Sequence, residues 1–226
     1  MSAAPGAVDE AAWQPKAIVF DLLTALLDSW TLWTASTPSG SAAEGRRWRE
    51  RYLAVTFGAG AYVPYEALVA QAARDVGLAP AAPAALLRGW EEGGLRAWPE
   101  AGAVLRALRA RRPSCRLAVA TNCSMRLGRA AAAAAAPPAF AFDAVLTAEQ
   151  SGFYKPARPA YAAVLAALGV EPADALFVAG SPGDVQGAAD AGMRVVWHNR
   201  IGLPMVGDAV PLREGKTLDE ALQDFL

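Results

Sequence analysis

Five short runs rich in strand-forming residues recur along the chain, and they narrow its possible folds more than any other feature. They are AIVF (17–20), LAVA (117–120), AVLT (144–147), LFVAG (176–180) and RVVW (194–197). Their apolar residues are continuous, not alternating with polar ones. A strand of that kind is buried on both faces, which is the pattern of a parallel sheet covered by helices above and below. Amphipathic stretches lie between the runs, such as PEAGAVLRALRAR (99–111) and RPAYAAVLAALG (158–169), the second closed by Gly169 where a helix should stop. Strand and helix in alternation predict an α/β fold, a doubly wound, Rossmann-like parallel sheet. With 226 residues, 54% of them apolar, one large domain with a modest insertion can bury a full core.

Residues 30–97 break the alternation. They contain helix-like segments at 42–57 and 64–78, a turn at 36–41 (STPSGS) and no convincing strand. The expected organisation is a flexible leader (1–15), a core domain (16–29 and 98–226) and a helical cap (30–97) placed over the strand ends. The leader carries Asp9 and Glu10 and lacks the apolar segment of a signal peptide, and no apolar run spans a bilayer, so a cytoplasmic location is expected. A net charge of −1 gives no reason to expect nucleic acid or a membrane surface as partner. Cys115 and Cys123 stand at the two ends of one buried run, too far apart to bridge, and read as reduced thiols. For Cys123 to act as a nucleophile it would need His198, the sole histidine, which lies far along the chain.

In a doubly wound fold chemistry gathers where strands end. The first run ends on Asp21, the second on Thr121 and Asn122 with Ser124 beyond, and the fourth leads to Ser181 and Asp184; Lys155 follows the third. A carboxylate can attack an electrophile and form an ester. An ammonium steadies that carboxylate, hydroxyls and amides orient an anionic group, and a second acid positions water or holds a metal. Each residue alone has an ordinary role, as turn acid, helix cap or solvated lysine. Asp28 reads as such a cap. Their order and spacing together point to a site.

In that order and spacing the chain resembles the haloacid dehalogenase superfamily, over roughly residues 16–200. The carriers are VFDLLTALLDS with Asp21, LAVATNCS with Thr121, FYKPARPAY with Lys155 and LFVAGSPGDVQGAADAGM with Asp184. The resemblance implies that Asp21 is the nucleophile, that Lys155 steadies the carboxylates and that Asp184 activates water. It also implies substrate contacts from Thr121, Asn122, Leu23 and Ser181. Phosphatases of the superfamily carry a second Asp where Leu23 stands, as general acid, and a further acid where Ser181 stands. Losing general-acid help costs about 10²–10⁴ in rate. The L-2-haloacid dehalogenase branch needs neither that acid nor a metal, because a halide leaves without a proton. YVPY (62–65) and WHNR (197–200) are also similar to that branch. That branch has Tyr where Leu23 stands and Gly-Thr where Thr24 and Ala25 stand, and it uses a cap arginine for the halide or carboxylate. Aligned on YVPY, the matching position is Thr56, with Arg49 or Arg51 one or two helical turns away; taken alone, Arg46, Arg47, Arg49 and Arg51 read as a solvated helix face.

The expected function is a hydrolase forming an aspartyl ester, most like a 2-haloacid dehalogenase, acting on a small anionic substrate without a cofactor. Two alternatives stand beside it. One is a Mg²⁺-dependent phosphatase lacking its general acid, with the metal on Asp21 and Asp184 and the Leu23 carbonyl. The other is a catalytically eroded binding protein. A homodimer is the expected assembly if two copies pair through the cap surface or the helix bearing Trp33 and Trp48.

Overall fold

The computed structural model describes residues 13–226. Strands β1 (Ala17–Phe20), β2 (Arg116–Thr121), β3 (Ala144–Thr147), β4 (Ala175–Ala179), β5 (Arg194–His198) and β6 (Arg213–Gly215) form one sheet, ordered β3-β2-β1-β4-β5-β6. Every neighbouring pair is parallel. The chain lays β1 first, builds outward on one side through β2 and β3, then returns to β1's other edge with β4. A crevice opens at the strand ends where the order reverses, between β1 and β4.

The continuous apolar runs have the cause expected of them. Ile18, Phe20, Leu117, Val119, Leu176 and Val178 enter an apolar cluster on one face of the sheet. Their neighbours Ala17, Val19, Ala118, Ala120, Phe177 and Ala179 enter a second cluster on the other. Successive side chains point to opposite faces, and both faces are covered. The covering helices are α5 (Ala101–Arg111), α6 (Met125–Ala135), α8 (Arg158–Leu168) and α9 (Pro182–Asp190), with the short α7 (Ala148–Ser151) and α10 (Leu218–Ala221). Gly169 ends α8 in the left-handed conformation, φ 63°.

Four helices fill the stretch after β1: α1 (Ser29–Ala35), α2 (Ala42–Ala59), α3 (Tyr65–Asp75) and α4 (Ala81–Glu91). This helical insert leaves and rejoins the core through two linkers that pair with each other. Leu27 bridges Ala97, and the Asp28 amide donates to the Arg96 carbonyl at 2.8 Å. Asp28 also caps α1, accepting from the Thr31 amide and hydroxyl at 3.1 and 2.6 Å. Among the hydrogen bonds that join insert and core, three run from an aromatic side chain to a main-chain carbonyl. Tyr52 donates to the Asn122 carbonyl (2.9 Å), Trp90 to the Leu127 carbonyl (3.2 Å) and Tyr154 to the Val63 carbonyl (2.7 Å).

Two expectations need correction. Trp33 and Trp48 lie on different helices, α1 and α2, both fully buried edge to face at 4.6 Å, so neither offers a surface to a second copy. The leader expectation falls mostly on residues 1–12, outside those described, but Trp13 is packed. Its ring meets Phe225 edge-on at 6.2 Å, lies under the Arg194 guanidinium at 4.4 Å and donates to the Ala173 carbonyl at 3.2 Å. Cys115 and Cys123 are buried and unbridged. Among the described residues no helix is long and apolar enough to cross a membrane.

Gly128, inside α6, yields a prediction with an unusual sign. Gly to Ala in a helix normally stabilises by up to ~1 kcal/mol. A Cβ at 128 would overlap the Thr147 methyl and crowd Cys123 Sγ at 3.1 Å, whereas one at Gly58 in α2 would meet open space. Gly128→Ala is expected to lower stability by about 1–3 kcal/mol and Gly58→Ala to raise it slightly, measured by urea unfolding.

Candidate active site

The ladder of β1 ends at Asp21, whose amide still donates to the Val178 carbonyl at 2.9 Å. Its side chain therefore sits at the sheet's rim, in the crevice between β1 and β4. Beyond it the chain turns tightly, with the amides of Leu26 and Leu27 donating to the Leu22 carbonyl at 3.2 and 3.0 Å. The turn folds three donors back onto Asp21 Oδ2: the Thr24 amide (3.0 Å), the Thr24 hydroxyl (2.6 Å) and the Ala25 amide (3.3 Å). Gly180 makes room for this turn, since a Cβ there would overlap the Thr24 hydroxyl and the Ala25 amide.

Lys155 joins the strand ends. Its ammonium donates to Asp21 Oδ1 and to Asp184 Oδ2, each at 2.8 Å. All three groups are buried. Asp184 Oδ1 accepts from the Tyr161 hydroxyl at 2.7 Å, and Ser181 Oγ stands 3.4 Å from Asp184 Oδ2. The two carboxylates share one cation but not one environment. Burial favours the neutral acid at Asp21, but the Lys155 charge and the bonds from Lys155 and Thr24 outweigh it and hold the acid below its usual range. Burial dominates at Asp184 and, with the nearby Asp21 charge, lifts it above the usual range despite Lys155 and Tyr161. Burial works against the Lys155 charge, yet Asp184 and Asp21 hold its ammonium above the normal value.

The other predicted residues have different employments. Thr121 is buried at the end of β2, its hydroxyl 3.7 Å from Cys123 Sγ. The Asn122 side chain holds the Lys155 backbone, accepting from the Lys155 amide and donating to its carbonyl, both at 2.8 Å. It acts as a brace that aims Lys155 and keeps one N–H to give. Ser181 leans on Asp184, and the Leu23 side chain is buried in the apolar cluster joining insert and core. Burial pushes the Cys123 thiol up to about 12, and His198 is no partner to it, because the imidazole meets the Ala25 carbonyl instead.

Two functional candidates went unassigned in the sequence. One is Tyr161, six residues after Lys155. The other is Arg49, 1% exposed and not on a solvated face. Its guanidinium lies 4.9 Å from the Trp33 ring, 5.0 Å from Tyr52 and 5.8 Å from Trp30. Nη2 stands 3.3 Å from Ser29 Oγ, which donates to the Leu23 carbonyl at 2.5 Å. Among the described residues Nε and Nη1 have no partner. The arginine is thus wired to the turn that follows Asp21. Thr56, aligned with the family arginine by YVPY, is buried with its hydroxyl on the carbonyls of Tyr52 and Leu53. The signal was the buried stripe of α2, namely Gly45, Trp48, Arg49, Tyr52 and Thr56, which includes Arg49.

The donors present do not suit Mg²⁺. Lys155 occupies the place between Asp21 and Asp184, the Leu23 carbonyl is taken by Ser29, and position 181 offers a hydroxyl. Among the described residues no cluster of three His, Cys, Asp or Glu could hold a metal ion.

Comparison with known proteins agrees with this geometry. A family model described as haloacid dehalogenase-like hydrolase matches residues 15–192. A solved L-2-haloacid dehalogenase is 30% identical, with TM-score 0.78, covering 92% of this chain and 96% of that one. The L-2-haloacid dehalogenase from Xanthobacter autotrophicus, solved with chloropropionic acid covalently bound, is 23% identical with TM-score 0.75, over 92% of this chain and 97% of that one. A dehalogenase solved as an intermediate complex is also 23% identical, with TM-score 0.79, over 94% and 97%. At 23% identity the last two speak for the fold alone. No curated protein matches the sequence.

Lys155→Met should leave two buried carboxylates facing each other without their cation. The expected cost is about 3–5 kcal/mol at neutral pH. The folded variant then binds more protons than its unfolded chain, so its stability should rise as pH falls. Urea unfolding at pH 8 and pH 5 measures both effects.

Proposed function

This chain belongs to the haloacid dehalogenase-like hydrolases, and from that premise we propose that it hydrolyses small 2-haloalkanoic acids through an ester on Asp21. One observation carries the choice of leaving group: a buried arginine whose Nε and Nη1 have no partner among the described residues, wired to the turn after the nucleophile, in a site where position 23 is leucine. A buried cation without a carboxylate partner is costly unless an anion joins it. Leucine donates no proton, so the leaving group has to depart as a stable anion. A halide meets both conditions, and an alkoxide leaving from a phosphate ester fails the second.

The chemistry follows from the hydrogen bonds. Asp21 Oδ2 accepts three bonds from the turn, whereas Oδ1 meets the Lys155 ammonium alone and keeps lone pairs to donate. Oδ1 attacks C2 of the substrate, the new C–O bond forms as the C–X bond breaks, and X⁻ leaves toward Arg49 with inversion at C2. Lys155 steadies the attacking carboxylate. In the second half, water attacks the carboxyl carbon of Asp21 while Asp184 takes its proton; the proton affinity raised by burial suits it as the base. Charge then gathers on Oδ2, where the Thr24 and Ala25 donors already stand, so no reorganisation is needed. The bond from the carboxyl carbon to Oδ1 breaks, the departing oxygen takes the proton back from Asp184, the 2-hydroxy acid leaves, and Asp21, now carrying the water's oxygen, releases its remaining proton to solvent and is a carboxylate again. Thr121, at the end of β2, is our candidate for the hydroxyl that meets the substrate carboxylate.

Halide release from 2-bromopropionate by purified protein tests this function. Asp21→Asn should abolish it, and Arg49→Leu should lower kcat/KM by about 10²-fold or more. Wild-type protein that releases no more halide than Asp21→Asn would reject the proposal.

The pH profile is a second test. The rate should fall in acid as Asp184 takes a proton, at a pH above the ordinary carboxylate value of 3.8. Tyr161→Phe removes a bond that favours the ionised form, so this limb should move further up in pH.

A further inference from the structure

The turn that presents Asp21 is gripped from behind by two side chains that the mechanism does not use. Trp98 Nε1 donates to the Thr24 carbonyl at 3.0 Å, and His198 Nδ1 lies 2.8 Å from the Ala25 carbonyl, both contacts buried. The two rings meet edge to face at 6.1 Å. Behind them Arg200 lies 4.6 Å over the Trp98 ring and pairs with Glu100 at 3.0 Å. Glu100 Oε1 also accepts from the Leu218 amide at 3.1 Å and stands 3.8 Å from His198 Nε2.

The topology of these bonds gives them a function. The Thr24 carbonyl and the Ala25 amide belong to one peptide unit, so Trp98 pulls on its oxygen while its N–H donates to Asp21 Oδ2. A donor on the oxygen polarises the unit and strengthens what its N–H gives. The next unit runs from the Ala25 carbonyl to the Leu26 amide; His198 holds its oxygen while its N–H closes the turn on Leu22. Both of these peptide units are therefore fixed at both ends. A carbonyl only accepts, so His198 Nδ1 must carry the hydrogen. Nε2 is then bare in the neutral ring, and among the described residues it has no hydrogen-bond partner.

We propose that Trp98 and His198 are positioning residues for the nucleophile, with His198 acting as the Nδ1–H tautomer. They fix the two peptide units that aim and polarise the Asp21 carboxylate. This rests on Asp21 as nucleophile, but the placement of the turn can be tested without turnover. Burial favours the neutral ring at His198, consistent with a role as donor and not as charge.

His198 is the only histidine, so the ring nitrogen-15 spectrum of labelled full-length protein reports it alone. Near neutral pH it should show Nδ1 protonated and Nε2 bare. In the halide-release assay Trp98→Phe and His198→Leu should each lower kcat about tenfold, with KM changed by less than about twofold, the size expected for one positioned hydrogen bond. His198→Asn, whose amide can donate from a similar place, should restore most of kcat. Trp98→Phe weakens the amide bond to Asp21, so the carboxyl carbon-13 titration of Asp21 should move upward in pH. An Nε2–H tautomer, or variants with wild-type kcat and an unmoved Asp21 titration, would overturn the proposal. If the wild type releases no halide, the dehalogenase function fails, while the tautomer and the Asp21 titration still decide the positioning. If His198→Leu does not fold, His198→Asn and the wild-type spectrum decide.

Discussion

One ammonium held between two carboxylates organises this molecule. Burying Asp21, Lys155 and Asp184 together removes three charges from water, and the arrangement persists because nearly every oxygen has a donor. The surrounding structure serves that requirement. The sheet's order places the ends of β1 and β4 side by side, Asn122 braces the Lys155 backbone, and Gly180 yields space to the turn. Two chemically identical acids emerge with opposite tendencies. Three donors and the cation keep Asp21 ionised, while burial and its neighbour's charge make Asp184 the better proton acceptor. That division suits the one to the proposed role of nucleophile and the other to that of base.

The buried strands were legible in the sequence because burial on two faces writes an apolar residue at every position. β6 was not, because Arg213–Gly215 is three residues at the sheet's edge with no apolar run. The rim residues were found from their place after each strand, and Asp21, Lys155 and Asp184 do converge. Arg49 was hidden by its company, since Arg46, Arg47 and Arg51 are exposed and the eye assigns the four to one face. Only the spacing against Trp48 and Tyr52 separates it. Asn122 shows a different limit: sequence places a polar side chain at a strand end but not which way it turns, and it braces the backbone of Lys155.

Motif one, with Leu23, Thr24 and Ala25, reads in sequence as eroded. In three dimensions its hydroxyl has moved and not vanished. Thr24 delivers it to Asp21 Oδ2 at 2.6 Å, with two amides beside it. Leu23 contributes its backbone, through the carbonyl that receives Ser29 and so connects the turn to Arg49.

Three of the hydrogen bonds between insert and core end on main-chain carbonyls, those of Leu127, Asn122 and Val63. Such acceptors are indifferent to the side chains around them. The seam is thus fastened by three donors, Tyr52, Trp90 and Tyr154, and exchanging any other residue that lines the insert can alter which molecules it admits while those fastenings stay in place.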